Sequence, residues 1–421
     1  MISSEEYRNC TFISSKLDHL GIINSSSNEN YYYEGKYSKS LILNKYIENN
    51  RKKRMNSNTN EKYWAEYDGL QHAKHQILRR YLGGWFPILA SWHGRVLYID
   101  CHAGRGRHDT GQEGSPILAL RLLLEHRSRN RILANTEVSF IFFEINEANC
   151  IHLNQEIDSI GQLPDGIEVS LSRGDYEERI YEIVRDLHEQ GKRLAPTFAF
   201  VDPYGFCLSM ELLNSLLEFP RCELLINFMY RYIDMAIHNL AQTDNMDILF
   251  GCPDWRRLVL IKDSTQRAEA TISLFSDQLM AEYVTHIYMR DTKGFLKYVL
   301  FHATNHSRGR EVMKDAMWSV TPDGSFTAFE RHTPNQMVLI VPDPDLEPLK
   351  ERLWTNFAGK DVYMNRLDEW LVSELYLPKH LHQILRDYRN QEVISFSNYE
   401  GRFGFKKNPL VSFPKERPID N

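Results

Sequence analysis

Four apolar runs in this chain each end on a carboxylate, and the first also ends on a glycine-paired turn. Residues 96–99 lead into Asp100 and the segment Cys101-His102-Ala103-Gly104-Arg105-Gly106. Glycine has no Cβ, so the backbone N–H groups of such a turn can approach a ligand closely. Glu144 follows the run 138–143, Asp175 follows 167–171, and Asp202 follows 197–201. An acid after a second strand can accept both hydroxyl protons of a ribose, as in nucleotide-binding folds. Asp175 can accept from an adenine amino group. Asp202 opens Asp202-Pro203-Tyr204-Gly205. A carboxylate beside backbone carbonyls can orient the N–H bonds of an exocyclic amine, and Tyr204 can stack on its ring. Lys74-His75 either lines the same cleft or forms a surface pair.

These residues need a scaffold that brings strand ends together. The spacing of Ala73, Ile77, Leu78 and Tyr81 predicts a helix over 70–82. Gly114-Ser115-Pro116 predicts a helix start, with Ser115 as N-cap and Pro116 in the first turn. A helix over 147–158 and a fifth strand over 223–228 continue the alternation. Strands alternating with helices argue an α/β fold: a mostly parallel, Rossmann-like sheet covered on both faces. In such a sheet, ligands sit at the carboxyl ends of the strands.

Residues 1–62 form a polar, partly disordered extension containing Arg51-Lys52-Lys53-Arg54, which reads as a solvated linker. The main domain is expected over 63–345, with a helical insertion over about 231–292. A strand over 298–303, a helix over 308–318 and a hairpin from 321–330 and 336–341 complete it. The extension 346–421 holds helices near 366–375 and 378–390 and then a Gly-turned hairpin over 398–405. That order fits either a winged helix or a small α/β packing unit. Asn305, His306, Arg308 and Arg310 place basic groups at a helix start, where they could meet phosphate.

A chain of 421 residues that is 42% hydrophobic can bury a sizeable core. Its net charge of −6 excludes a wholly basic nucleic-acid binder but leaves room for a basic face. The six cysteines are scattered without zinc spacing, as free thiols in a reducing compartment would be. No apolar run approaches a membrane span, so a cytoplasmic protein is expected. The four acids could also gather around magnesium, but no lysine-bearing nuclease motif accompanies them.

The strand-end pattern D-x-x-x-G-x-G resembles the first motif of class I methyltransferases, which bind S-adenosylmethionine. Taken with Lys74-His75-Gln76-Ile77-Leu78, Gly114-Ser115-Pro116, Phe200-Val201-Asp202-Pro203-Tyr204-Gly205 and Gly309-Arg310-Glu311-Val312-Met313, it resembles the bacterial three-Cys-motif partner protein family. That resemblance covers about 65–330. It implies a methyltransferase-like fold. The residues themselves make Lys74, His75, Asp100, His102, Gly104, Gly106, Glu144 and Asp175 the expected S-adenosylmethionine site and Asp202, Pro203 and Tyr204 the expected reaction site, and methyl transfer needs no metal. Asp202-Pro203-Tyr204-Gly205 is similar to the motifs of adenine-N6 and guanine-N2 methyltransferases, which implies methylation of an exocyclic amine in RNA or DNA. The family is often encoded beside a radical-type iron–sulfur enzyme. The resemblance therefore also admits a non-catalytic partner that binds this enzyme or a nucleic acid.

Overall fold

Eight strands build the main sheet: β1 (Gly94–Asp100), β2 (Thr136–Glu144), β3 (Ile167–Arg173), β4 (Thr197–Val201), β5 (Cys222–Phe228), β6 (Tyr283–Arg290), β7 (Leu296–Thr304) and β8 (Thr327–Phe329). They belong to a computed structural model that describes residues 23–24, 60–89, 94–330, 343–399 and 408–416. Spatial order across the sheet is β8-β6-β7-β5-β4-β1-β2-β3. Every neighbouring pair is parallel except the two that involve β7, which runs against both β5 and β6. β4 and β5 are buried at every position, as central strands covered on both faces must be. The polar extension 1–62 lies almost entirely outside the described residues, although Ile23–Asn24 pairs with Arg193–Leu194.

Helix α1 (Gly69–Leu89) buries Leu70, Lys74, Ile77, Leu78, Tyr81, Leu82 and Trp85, one stripe at helical spacing. Lys74 is the one cation in that stripe. Helix α2 (Ser115–Leu124) departs from expectation at its start. Gly114 is the N-cap, and the Ser115 hydroxyl bonds to Asp100 instead of capping. Helices α3 (Glu147–Asp158), α4 (Tyr176–Glu189) and α5 (Met210–Leu217) complete the alternation.

The expected insertion is helical over α6 (Tyr230–Ile237), α7 (Thr243–Phe250) and α8 (Ser264–Gln278), with 3-10 turns at Leu240–Gln242 and Pro253–Leu260. It ends earlier than its expected limit near 292. Residues 283–290 are strand β6, where Thr285, Ile287 and Met289 are buried and their neighbours half-buried. That alternation is the period of a strand. Helix α9 (Ser307–Trp318) follows β7. Of the expected hairpin arm 321–330, only β8 is strand, and it joins β6 in parallel. The preceding stretch turns at Gly324, whose φ is 78°. The partner arm 336–341 lies outside the described residues.

The C-terminal residues gather their own core from Leu349, Leu353, Leu367, Leu381, Ile384 and Val411. The elements are α10 (Glu347–Phe357), β9 (Asp361–Tyr363), α11 (Met364–Ser373), α12 (Pro378–Asn390), β10 (Ser395–Ser397) and β11 (Leu410–Ser412). Their sheet is antiparallel in the order β9-β11-β10. Most of the expected hairpin 398–405 lies outside the described residues.

Candidate active site

The strand order reverses between β1 and β4, and ligands bind at such a switch point. There, at the carboxyl ends of the strands, lies a cavity of about 600 Å³, a volume within the range of small-ligand sites. Of the expected site residues, Lys74, His75, His102, Gly104, Glu144, Asp175, Asp202, Pro203 and Tyr204 all line it. Asp100 and Gly106 do not.

One end of the cavity is built on the glycine turn. Gly104 has φ 63°, and a Cβ there would fall 2.3 Å from the Trp64 ring. Gly106 has φ 86°, and a Cβ there would meet Leu153 at 2.8 Å. Both positions therefore demand glycine for conformation and for space. Glu144 accepts from the Gly104 N–H at 2.9 Å and from the Asn146 N–H at 2.7 Å, tying the end of β2 to the turn. Burial raises its pKa against these bonds. Asp175 caps α4 by accepting from the Glu177 N–H at 2.9 Å. The His102 ring meets Tyr176 edge to face at 4.6 Å.

Asp100 lies behind the turn, fully buried, and accepts from the His102 N–H at 3.2 Å, the Tyr98 hydroxyl at 3.3 Å and the Ser115 hydroxyl. It braces the site from beneath, while the turn itself faces the cavity. Burial pushes its pKa up to about 7 from 3.8. The folded chain thus holds this proton between about pH 4 and 7, where the unfolded chain has lost it. Stability is therefore expected to fall as pH rises through that window, by a few kcal/mol. Urea unfolding at pH 5 and 7.5 checks this: Asp100→Asn should flatten the slope, and equal slopes in both proteins would refute the assignment.

The other end is built on α1 and on β4 and β5. Lys74, 3% exposed, donates to Asp202 Oδ2, while the Asn227 amide donates to Asp202 Oδ1. Burial opposes the Lys74 charge, but the Asp202 carboxylate outweighs it and holds the pKa well above the usual lysine value. The carboxylate is fixed from both sides. Phe200 and Tyr298 present their rings to the ammonium at 6.0 and 5.9 Å. His75 bonds to the Tyr67 hydroxyl at 3.0 Å, and burial with the Lys74 charge depresses its pKa, so its imidazole is neutral. Tyr204, 55% exposed, sits at the mouth 6.1 Å from Tyr232, with which it hydrogen-bonds.

Trp64, Asn227, Tyr232 and Tyr298 are among the lining residues that escaped the sequence reading. Among the described residues, no three His, Cys, Asp or Glu side chains gather as metal ligands, and no helix is long and apolar enough to cross a membrane.

The strand order is that of a Rossmann-like α/β sheet, with the cavity at its switch point. No protein-family model and no curated protein matches the chain. Among solved structures it is similar to Trm1 from Pyrococcus horikoshii in complex with S-adenosyl-L-methionine. That likeness has 12% identity and a TM-score of 0.33, covering 83% of this chain and 92% of the other. It is also similar to the O-methyltransferase from Bacillus cereus in complex with SAH, at 13% identity and a TM-score of 0.31, covering 63% of this chain and 92% of the other. Likenesses this distant assign no substrate.

Proposed function

We propose that this chain is an S-adenosylmethionine-dependent methyltransferase acting on an exocyclic amine of a nucleic acid base. One observation carries the reading: a single cavity joins a glycine turn, Glu144 and Asp175 to an Asp202 carboxylate pinned by Lys74 and Asn227. The first group fits an adenosyl ligand. Glu144 lies where ribose hydroxyls would bind, Asp175 where an adenine amine would, and the His102–Gly104 turn takes the methionine part. Bound there, S-adenosylmethionine supplies a methyl group activated by its sulfonium. Asp202 accepts from one N–H of the amine, which helps to aim the nitrogen lone pair at the methyl carbon. Alignment of this kind supplies most of the rate in methyl transfer. Tyr204 and Tyr232 offer stacking faces at the mouth.

A nucleic acid also suits the C-terminal residues. Helix, strand, two helices and two strands, with sheet order β9-β11-β10, support the winged-helix reading. Helix α12 exposes Lys379, Arg386 and Arg389, with Asp387 among them. Such a face can meet phosphates.

Calorimetric titration with S-adenosylmethionine tests the reading, run beside Glu144→Ala. Losing a charged acceptor should weaken binding about 10- to 100-fold. Tritiated methyl transfer to RNA and DNA pools then tests the substrate class. Folded wild-type protein that binds no S-adenosylmethionine would overturn the proposal.

A further inference from the structure

The wall beside Asp202 holds two buried polar atoms for which the described residues provide no hydrogen-bond partner: Asn227 Oδ1 and the Tyr298 hydroxyl. Asn227 is 3% exposed and Tyr298 5%, and both residues line the cavity. They are close in the sheet, because Asn227 on β5 pairs with Leu300 on the antiparallel strand β7. Leaving such atoms undonated costs about 1–3 kcal/mol each. Folds rarely keep that cost except where function uses it.

The chemistry of each atom is fixed by its neighbours. Asp202 is paired with Lys74 and accepts from the Asn227 amide, which turns its NH2 toward it. Its Oδ1 is thereby left as an acceptor facing no donor. Tyr298 lies against the Lys74 ammonium, yet burial raises its pKa strongly, so its hydroxyl keeps the proton and can donate. The wall therefore offers one acceptor and one donor beside the reaction carboxylate. The matching ligand edge carries an N–H beside an unprotonated ring nitrogen. That is an amidine edge, found where an exocyclic amine adjoins an unprotonated ring nitrogen, as in adenine, cytosine and the N2–N3 edge of guanine.

Resting on the methyltransferase reading, we propose that Asn227 and Tyr298 are specificity-determining residues that recognise the amidine edge of the base to be methylated. Asn227 Oδ1 accepts from the amine, leaving its second N–H for Asp202, and Tyr298 donates to the ring nitrogen. A lactam edge, such as that of uracil, presents a ring N–H to the Tyr298 hydroxyl and a carbonyl to Asn227 Oδ1. It would set one acceptor against another at Asn227 Oδ1.

The test uses the full chain and Tyr298→Phe in three measurements. Thermal unfolding reads whether the hydroxyl has a structural partner. Calorimetry reads S-adenosylmethionine affinity. Tritiated transfer to total RNA and genomic DNA, with mass spectrometry of the nucleosides, reads the methylated base and the rate. The expected result has four parts. The variant has a Tm equal to or above wild type, and its S-adenosylmethionine affinity stays within about 2-fold. Transfer falls at least about 10-fold, and the wild-type product is a base methylated on an exocyclic amine that adjoins an unprotonated ring nitrogen. A Tm lowered by several degrees, unchanged transfer, or a product methylated on uracil or a ribose hydroxyl would overturn the inference while leaving a methyltransferase in place. Wild-type protein that binds S-adenosylmethionine but methylates no nucleoside would overturn the proposed substrate class, and this inference with it.

Discussion

Asp202→Ala is expected to abolish methyl transfer and also to lower stability by about 3–5 kcal/mol, because it strands a buried charge. Lys74 sits in the apolar stripe of α1 at 3% exposure, and its ammonium is paired with Asp202. Removing the carboxylate leaves that ammonium in a low-dielectric wall near Phe200 and Tyr298. The Asn227 amide loses its acceptor as well. The double variant Lys74→Met/Asp202→Ala removes both charges, so it should recover most of the stability and none of the turnover. S-adenosylmethionine affinity should change only a few-fold in either protein, since Asp202 faces the acceptor end of the cavity. Urea unfolding, calorimetry and tritium transfer separate these effects. An Asp202→Ala protein as stable as wild type would mean the pair is solvated and the site is not built as described. Retained transfer would remove Asp202 from the reaction.

The strand-end residues were legible for a physical reason. Parallel βαβ units deliver every strand to the same edge, so an acid or glycine just after an apolar run marks that edge whatever the rest of the chain does. Asp100, Glu144, Asp175 and Asp202 all arrive there, although Asp100 turns behind the glycine turn because Ser115, His102 and Tyr98 claim it. Lys74 carried a signal too. A lysine inside an apolar stripe is costly unless it is paired, and the pairing with Asp202, 128 residues away, is what the stripe implied. Asn227 and Tyr298 carried none, since an Asn near the end of a buried strand and a Tyr within one read as ordinary sheet positions. Their place at the site appears only when β5 pairs with β4, which ends at Asp202, and β7 runs antiparallel to β5. Trp64 lies before the first periodic element, so nothing local ties it to Gly104. Strand β6 was missed because the aromatic and acidic segment before it extended the helical reading across a clear two-residue alternation at 283–290.

The joint between the two cores yields the second large effect. Helix α9 reaches toward the end of α11, where carbonyls lack intrahelical partners. Lys314, 1% exposed, donates to the carbonyls of Leu371 at 2.9 Å, Glu374 at 2.8 Å and Tyr376 at 3.1 Å. Arg310 adds Ser373 at 2.8 Å, and the Trp318 indole adds Leu375 at 2.8 Å. A cation at a helix C-terminus is favourable in itself. Lys314→Met keeps the aliphatic stem but orphans three carbonyls, at about 1–3 kcal/mol each. The expected result is a loss of several kcal/mol, a separate early transition in the thermal melt and protease cleavage within 371–377, with S-adenosylmethionine affinity unchanged. The pH dependence has a definite sign. Burial, with Arg310 nearby, pushes the Lys314 pKa down to about 8 from 10.5. Between those values the unfolded chain binds more protons, so the lysine's contribution rises with pH, and the neutral amine still donates. The stability gap between wild type and Lys314→Met should therefore widen from pH 7 to pH 9.5, by up to about 2 kcal/mol. A gap that closes in alkali would show that the ammonium charge, not its hydrogen bonds, holds the joint.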